Sequence, residues 1–499
     1  MTIGSHKSHR HKPKCKPNYV DVVVKTTICT QNKISLTLTT FILHFLNFTP
    51  TSSGFCRSTN KYTRKTSRYR SKYLVNMCRP PLTKENVLKE DEKWIPKFDL
   101  AAFTADIHAL GKKLEKEQGE DDVRHLRKMV SWSNMCAFVG FITMGLCVNP
   151  ISVVALSLFT FSRWTMIAHH TCHGGYDKCH PDKNRWTRFK FAIGSLWRRL
   201  ADWFDWMMPE AWNVEHNNRH HYNLSEKDDP DNVEENNQFL RSLNVPIFVK
   251  YMIVGFFMTT WKWFYYSPNT YKELKLARLR RLGKPIPKGV DPATAITMKE
   301  VVMGNNSFYS AFEFFSVVVG PYFLIHFFIA PLPYFAIGNY FGMGNTLYQN
   351  AIINLFLAEI LTNIHGFIAV VTNHAGNDMY RFRDGCRPFS GSFYLRQVLA
   401  SVDFAMGTDV VDFMHGWLNY QIEHHLWPNL SMLSYQRSAP LVREICKKHG
   451  VPYIKENVFI RLKKTVDIMV GASDMKWFPE NYEKDFLALD AKMESAKNK

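Results

Sequence analysis

The chain has 499 residues, 46% of them hydrophobic, 14% aromatic and only 21% charged, and the apolar residues are clumped; this excludes a disordered chain, a collagen and a disulfide mini-scaffold and points to a membrane protein with sizeable polar regions. The net charge of +19 sits mainly in residues 1–79, which hold 15 Lys and Arg against one acid, Asp21. It makes no case for nucleic acid, which would call for a basic stripe with an aromatic platform or a zinc finger.

Along the chain, residues 1–79 are basic, Ser/Thr-rich and interrupted by the short apolar stretch Ile34–Phe48. They read as a targeting segment, as a disordered tail, or as sequence upstream of a true start at Met77. A polar pre-membrane segment, 80–130, follows. Apolar runs at about 132–148 and 151–168, broken by Asn149-Pro150 with no charge between them, predict a transmembrane hairpin. After the polar stretch 169–246, residues 247–266 are apolar but hold Lys250 and Lys262 and end in aromatics, which suits an interfacial helix. A second apolar pair, 312–330 and 347–372, is joined by the uncharged link 331–346. Basic residues precede the first pair and follow the second, so both hairpins dip in from the cytosolic side or its equivalent. The expected fold is an all-α integral membrane protein: four transmembrane helices in two hairpins plus an interfacial helix, capped by a cytosolic helical domain holding a dimetal site. Ten cysteines without a CxxC pair argue against a disulfide framework.

Three of the histidine groups stand at the edges of these spans: His169-His170-Thr171-Cys172-His173, His216-Asn217-Asn218-Arg219-His220-His221 and Gln421-Ile422-Glu423-His424-His425. On a helix, i and i+4 share a face. His169 with His173, and His216 with His220, can then point at one place, His221 at a neighbouring point, and Gln421 pairs with His424. Imidazole suits Fe, Zn, Cu and Ni, and so many imidazoles exceed the four ligands of a tetrahedral zinc site, so more than one ion is expected. In the fourth span, Asn363, His365, Asn373 and His374 are polar residues in an apolar run and candidates for function on that ground. Asp228-Asp229-Pro230-Asp231 reads either as carboxylates that orient ligating histidines or as a solvated turn.

These motifs, HxxxH, HxxxHH and QxxHH after paired spans, resemble the three histidine boxes of the membrane fatty acid desaturases. The stretch His415–Leu430, HGWLNYQIEHHLWPNL, is similar to the front-end type, in which Gln replaces the first His of the third box. The resemblance covers roughly residues 80–460, so a desaturase domain is expected at 131–460 and a polar tail at 461–499. Many front-end members carry a fused cytochrome b5 domain with an HPGG motif; no HPGG occurs here. The resemblance implies two non-haem iron ions held by His169, His173, His216, His220, His221, His374, Gln421, His424 and His425, with His374 taken as the fourth-span ligand in preference to His365. It implies O2-dependent insertion of a double bond into an acyl-lipid or acyl-CoA. Electrons would come from cytochrome b5 in the endoplasmic reticulum membrane, or from ferredoxin if the location is a plastid membrane. The competing readings are a diiron lipid hydroxylase or sphingolipid/sterol desaturase and, from another class, a non-catalytic metal-binding membrane protein or transporter.

Overall fold

A computed structural model describes residues 88–497, apart from 180–184, 194, 204–207, 289–291, 293–294, 305 and 307. The basic segment 1–79 lies outside the described residues. The described residues are mostly helical, with one two-strand sheet among them, Tyr380–Arg381 beside Lys476–Trp477, in parallel register.

Helix α1, Leu100–Glu117, opens on Asp99, whose carboxylate accepts from the Ala101 and Ala102 N–H groups at 3.0 Å, satisfying donors with no partner inside the helix. Its buried residues, Leu100, Phe103, Ile107, Leu110 and Leu114, recur at helical spacing and form the stripe that packs on the polar part of the protein. Helix α2, Glu120–Thr143, starts with three acids, Glu120, Asp121 and Asp122, which favour a helix N-terminus. It therefore joins the end of the expected polar segment to the first expected span in one helix and stops at Thr143, short of 148.

Among the described residues three helices are long and apolar enough to cross a membrane, as in a membrane protein: α3 at Pro150–Cys172, α5 at Ala311–Tyr340 and α6 at Thr346–His374. Between them, α4 covers Ile247–Met258. The link expected at 331–346 is largely helical, because Pro331 and Pro333 stand at the start of a new turn, where the missing N–H costs little. The stretch 247–266 also differs from expectation. It divides into α4 and a wider π-helical turn, Lys262–Tyr266, and both lysines are buried. Lys250 donates from Nζ to the Arg241 carbonyl at 2.6 Å, and Lys262 is fully buried.

In α6, Asn354 closes the Asn149-Pro150 turn. Its Nδ2 donates to the Met144 and Cys147 carbonyls at 2.8 Å, and its Oδ1 accepts the Asn149 N–H at 3.0 Å. The turn itself is largely exposed, with Leu146 67% and Val148 44% exposed, whereas Asn354 is fully buried and finds its partners on the turn's backbone groups. Gly140 on α2 permits the tight approach of α3: a Cβ there would lie 2.6 Å from Leu156 Cγ.

The polar regions form one packed body around helices α7 (Gly391–Leu399), α8 (Gln421–Leu426), α9 (Met432–His449), α10 (Val458–Val470) and α11 (Glu480–Lys497). Two buried arginines bind it together. Arg396 joins Glu226, after the second histidine group, at 2.6 Å to Glu483 on α11 at 3.1 Å. Arg461 on α10 joins Asp378 at 2.6 Å to Glu456 at 2.9 Å, while Thr465 donates to the Ala375 carbonyl at 3.1 Å, directly after the end of α6.

Candidate metal centre

The first two histidine groups and His374 stand where helical winding changes. His169 follows the π-helical stretch Ser162–Ala168, and His173 closes the next turn. His216 lies in a second π-helical stretch, Asn213–Asn217, and His220 opens the tighter turn His220–Tyr222. His374 ends the tight last turn of α6, Val371–His374. Wide turns of this type occur frequently at functional sites. Helix α8 carries Gln421, His424 and His425 inward, and its Ile422 N–H is held by Asp403 Oδ1 at 3.0 Å. Gly175 lets the first group meet the chain after the third, since a Cβ there would stand 2.6 Å from the Leu430 carbonyl oxygen.

Eight imidazoles come together in two adjoining sets. His169, His173, His216, His221 and His424 form one; His220, His374 and His425 form the other; all of the ligand atoms within a set lie within 4.8 Å of one another. The sets touch where the rings of His221 and His425 stack at 4.2 Å.

The pairing differs from simple helical spacing. His216 and His220 were expected to point at one place, and ligand atoms of the two do lie within 4.8 Å of each other in a grouping with Asp231, but His216 also shares the five-histidine set with His221, at 3.3 Å between Nε2 atoms, and His220 also joins the other set. The wide turn around His216 replaces a four-residue period with one nearer five. His424 and Gln421 likewise part. His424 enters the five-histidine set, while Gln421 lies against His374, with Nε2 atoms 3.0 Å apart. His169 and His173 do share a set. His365 belongs to neither. It stacks on Phe161 at 3.8 Å and its Nε2 lies 2.6 Å from the Met414 carbonyl oxygen.

Hydrogen bonds outside the sets fix ring orientation. His220 Nδ1 faces Asp229 Oδ1 at 2.9 Å, His374 Nδ1 faces the Ala400 carbonyl at 2.8 Å, and His425 Nδ1 faces Gln397 Oε1 at 3.0 Å. His424 Nδ1 lies 3.3 Å from the Tyr435 hydroxyl, which itself donates to the Trp427 carbonyl at 3.0 Å and so accepts from the ring. Each of these four rings carries its proton on Nδ1, leaving the Nε2 lone pair aimed inward, an arrangement common to metal-ligating histidines. Gln397, Ala400 and Tyr435 carry no motif of their own, and only their contact with the histidines singles them out.

The sets fit a metal. The Nε2 atoms of His169, His424, His221 and His216 form a chain with separations of 2.8, 3.1, 3.3 and, back to His169, 3.2 Å. His424 keeps its proton on Nδ1 and so presents a lone pair here; two lone pairs at that range repel unless a proton or a metal ion lies between them, and neighbouring ligands each ~2.1 Å from one ion stand about 3 Å apart. His173 Nε2 and His425 Nε2 are buried without a hydrogen-bond partner. Burial, followed by neighbouring imidazoles, pushes His173, His216, His221, His424 and His425 well below the ordinary histidine range, so they are neutral donors. His220 is the exception: burial pulls it down, but the Asp229 and Asp231 carboxylates outweigh that and raise it. A third grouping, His216, His220 and Asp231, lies on the other side of the His220 ring. There the nearest carboxylate contact of Asp231 is with Nδ1, at 3.7 Å, the nitrogen already given to Asp229. Asp231 thus stands behind the ring rather than among the converging lone pairs.

A cavity of about 720 Å³ reaches this centre, within the ~300–1,000 Å³ of small-ligand pockets. His169, His216, His220, His374 and Gln421 close its inner end. Its walls are apolar and aromatic, including Trp261, Tyr265 and Phe367, and its outer rim includes the exposed Phe239, Ile253 and Val302.

The model of the family described as "Fatty acid desaturase" matches residues 146–457. Among curated relatives, a "NADPH-dependent stearoyl-CoA 9-desaturase" of Mycobacterium tuberculosis is 33% identical over 113 residues, 21% of this chain and 25% of that protein. An "sn-1 linoleoyl-lipid 6-desaturase" of Arthrospira platensis is 37% identical over 65 residues, 13% of this chain and 18% of that protein. A "Delta(5) fatty acid desaturase A" of Dictyostelium discoideum is 28% identical over 116 residues, 22% of this chain and 25% of that protein. The chain thus spans about a quarter or less of the length of these relatives. No solved structure matches. With the family match extending over more than half of its length and enclosing every histidine of the two sets, the chain belongs to the fatty acid desaturase family.

Proposed function

We propose that the chain is an O2-dependent acyl desaturase with two iron ions, one in each histidine set. The observation that carries this reading is the junction of eight inward-facing imidazoles with the end of an apolar cavity. His169, His173, His216, His221 and His424 would hold one ion; His220, His374 and His425 the other, with Gln421 beside it. Iron bound there would supply reduction of O2 and the oxidising power that an unactivated C–H bond demands. In balance, a –CH2–CH2– unit loses two hydrogens to become –CH=CH–, and O2 takes those two, two electrons and two protons to give two waters.

The chain's own residues bind and orient. Trp261, Tyr265 and Phe367 hold an acyl chain along the cavity, their apolar surface keeps water from the reacting carbons, and Asp229, Gln397 and Ala400 hold the rings in place. The electrons come from an external donor, cytochrome b5 in the endoplasmic reticulum or ferredoxin in a plastid, and the substrate is an acyl-lipid or acyl-CoA.

We read the second half of α2 as a fourth membrane-inserted segment. Met135, Phe138 and Ile142 stand more than half exposed on its outer side, as lipid-facing residues do. The polar body then lies at the cytosolic face. Against a transporter, His169 and His374 stand in the last turns of their apolar helices rather than midway along them. Yeast expressing the protein, profiled by gas chromatography of fatty acid methyl esters, tests the reading: new unsaturated esters are expected. Their absence from cells that accumulate the protein in membranes, across supplied fatty acids of different lengths, overturns it.

A further inference from the structure

One cluster of buried charge lies outside the two histidine sets. Lys262 is fully buried, and its Nζ lies 3.3 Å from Oε1 of Glu359, midway along α6. The same carboxylate accepts from Trp263 Nε1 at 2.9 Å, from Asn363 Nδ2 at 2.8 Å, and from the Tyr322 hydroxyl of α5. One turn on, Asn363 holds the other strand of the contact: its Oδ1 accepts the Lys262 N–H at 3.3 Å and its carbonyl accepts Trp261 Nε1 at 2.8 Å. The ammonium also lies over the Trp164 ring, 5.5 Å from its centroid. A single carboxylate thus ties together α5, α6 and the π-helical turn Lys262–Tyr266.

Charge among apolar helices is costly and marks function by default. Apolar contacts alone can hold aromatic residues against a helix, whereas an ion pair with this many directed partners allows one relative position of the elements it joins. Two of those three elements, α6 and the π-helical turn, line the cavity. Trp261, Tyr265 and Tyr266 belong to the clamped stretch, and Phe367 stands one turn beyond Asn363 on α6.

We propose that the Lys262–Glu359 pair is a positioning device that sets how far an acyl chain advances past the histidines, and thereby the carbons between which the double bond forms. The inference rests on the acyl desaturase reading. Which methylene loses hydrogen depends on which one the cavity wall holds nearest the centre, and a displacement of ~1 Å at a reacting centre changes rate by about 100-fold. A wall released from its clamp therefore spreads the reaction over neighbouring positions, even though neither residue touches the reacting carbons.

The test uses the full chain in yeast, with double-bond positions read by mass spectrometry of derivatised methyl esters and protein amount by immunoblot of the membranes. Two variants are compared with the wild type. Glu359→Gln keeps the hydrogen-bonding shape but not the charge; Lys262→Met with Glu359→Leu removes both charges together, so neither is left buried alone. In both, the ratio of neighbouring positional isomers to the main product is expected to rise about tenfold, a change that simple loss of enzyme does not produce. An unchanged ratio in accumulating variants, with the wild type active, overturns the inference alone. Failure of both variants to accumulate also overturns it, because the pair is then a folding element. A wild type that makes no unsaturated product overturns the desaturase reading, and the inference falls with it.

Discussion

His220 and Asp229 are each only 1% exposed in their side chains, and Nδ1 of the one lies 2.9 Å from Oδ1 of the other. The carboxylate is itself held: Oδ2 accepts the Ser225 N–H at 2.8 Å and Oδ1 the Asp231 N–H at 2.9 Å. This fixes the His220 ring with Nε2 toward His374 and His425. Asp229→Ala is therefore expected to lower metal affinity by ~10–100-fold, as loss of a partner behind a ligating histidine does. Metal content of the purified protein, titrated against a chelator of known strength, checks this. Affinity equal to the wild type would make the pair a structural contact only.

The cavity makes a size-dependent prediction. Val254 is 1% exposed and lines the wall away from the histidines. Val254→Phe adds volume to that wall without touching the centre. Activity on long acyl chains is expected to fall by at least ~10-fold while shorter chains are retained, since overpacking is felt where the cavity must be filled. Competition between supplied fatty acids of different lengths measures the ratio. A uniform fall across lengths would contradict this cavity as the acyl site.

The histidine groups were legible in the sequence because ligand type and spacing survive without coordinates, and the helical spans because apolar runs do. What the sequence hid is the partition of each group. His220 and His221 are adjacent in the chain yet enter different sets, as do His424 and His425. Neighbours on a helical turn point in different directions, so both sets draw on the second and third groups, and the wide turn at His216 settles which neighbour it meets. Spacing arguments assume an α-helical period, and the period is what changes here. Lys262 was hidden for another reason. A lysine near an aromatic cluster reads as an interfacial anchor, and its partner Glu359 lies about a hundred positions away, inside an apolar run that one acid scarcely disturbs.

The neutral histidines make the metal-free protein sensitive to acid. His173, His216, His221, His424 and His425 are depressed below the ~6.5 of an unfolded chain, chiefly by burial. Below that value the unfolded chain binds protons that the folded one refuses, so stability declines as pH falls. His220, raised by Asp229 and Asp231, works in the opposite direction but is one against five. The melting temperature of metal-free protein in detergent is expected to drop between about pH 7.5 and about pH 5.5, and loading with iron at the upper pH should raise it by binding the folded form alone. A flat profile would mean that these imidazoles are hydrated rather than buried and neutral.

Gln421 is the residue in which the third group differs from an all-histidine box, and its surroundings give it a defined task. His374 gives its Nδ1 proton to the Ala400 carbonyl, so its Nε2 is an acceptor and the Gln421 amide donates to it at 3.0 Å. Gln421 Oε1 is buried without a partner. Were His374 to hold an ion with His220 and His425, its Nε2 lone pair would no longer be free for the amide, and the Gln421 side chain could present its oxygen or its NH2 at that place instead. Gln421→His supplies a stronger ligand there, which should retain iron but close that position and lower turnover by ~10-fold or more. Gln421→Leu leaves no polar group at all and should lower turnover further, with iron retained by His220, His374 and His425. The two variants are compared by iron content and by product formed per iron. If Gln421→Leu matches the wild type at equal iron content, Gln421 does no more than occupy the lone pair of His374 before metal arrives.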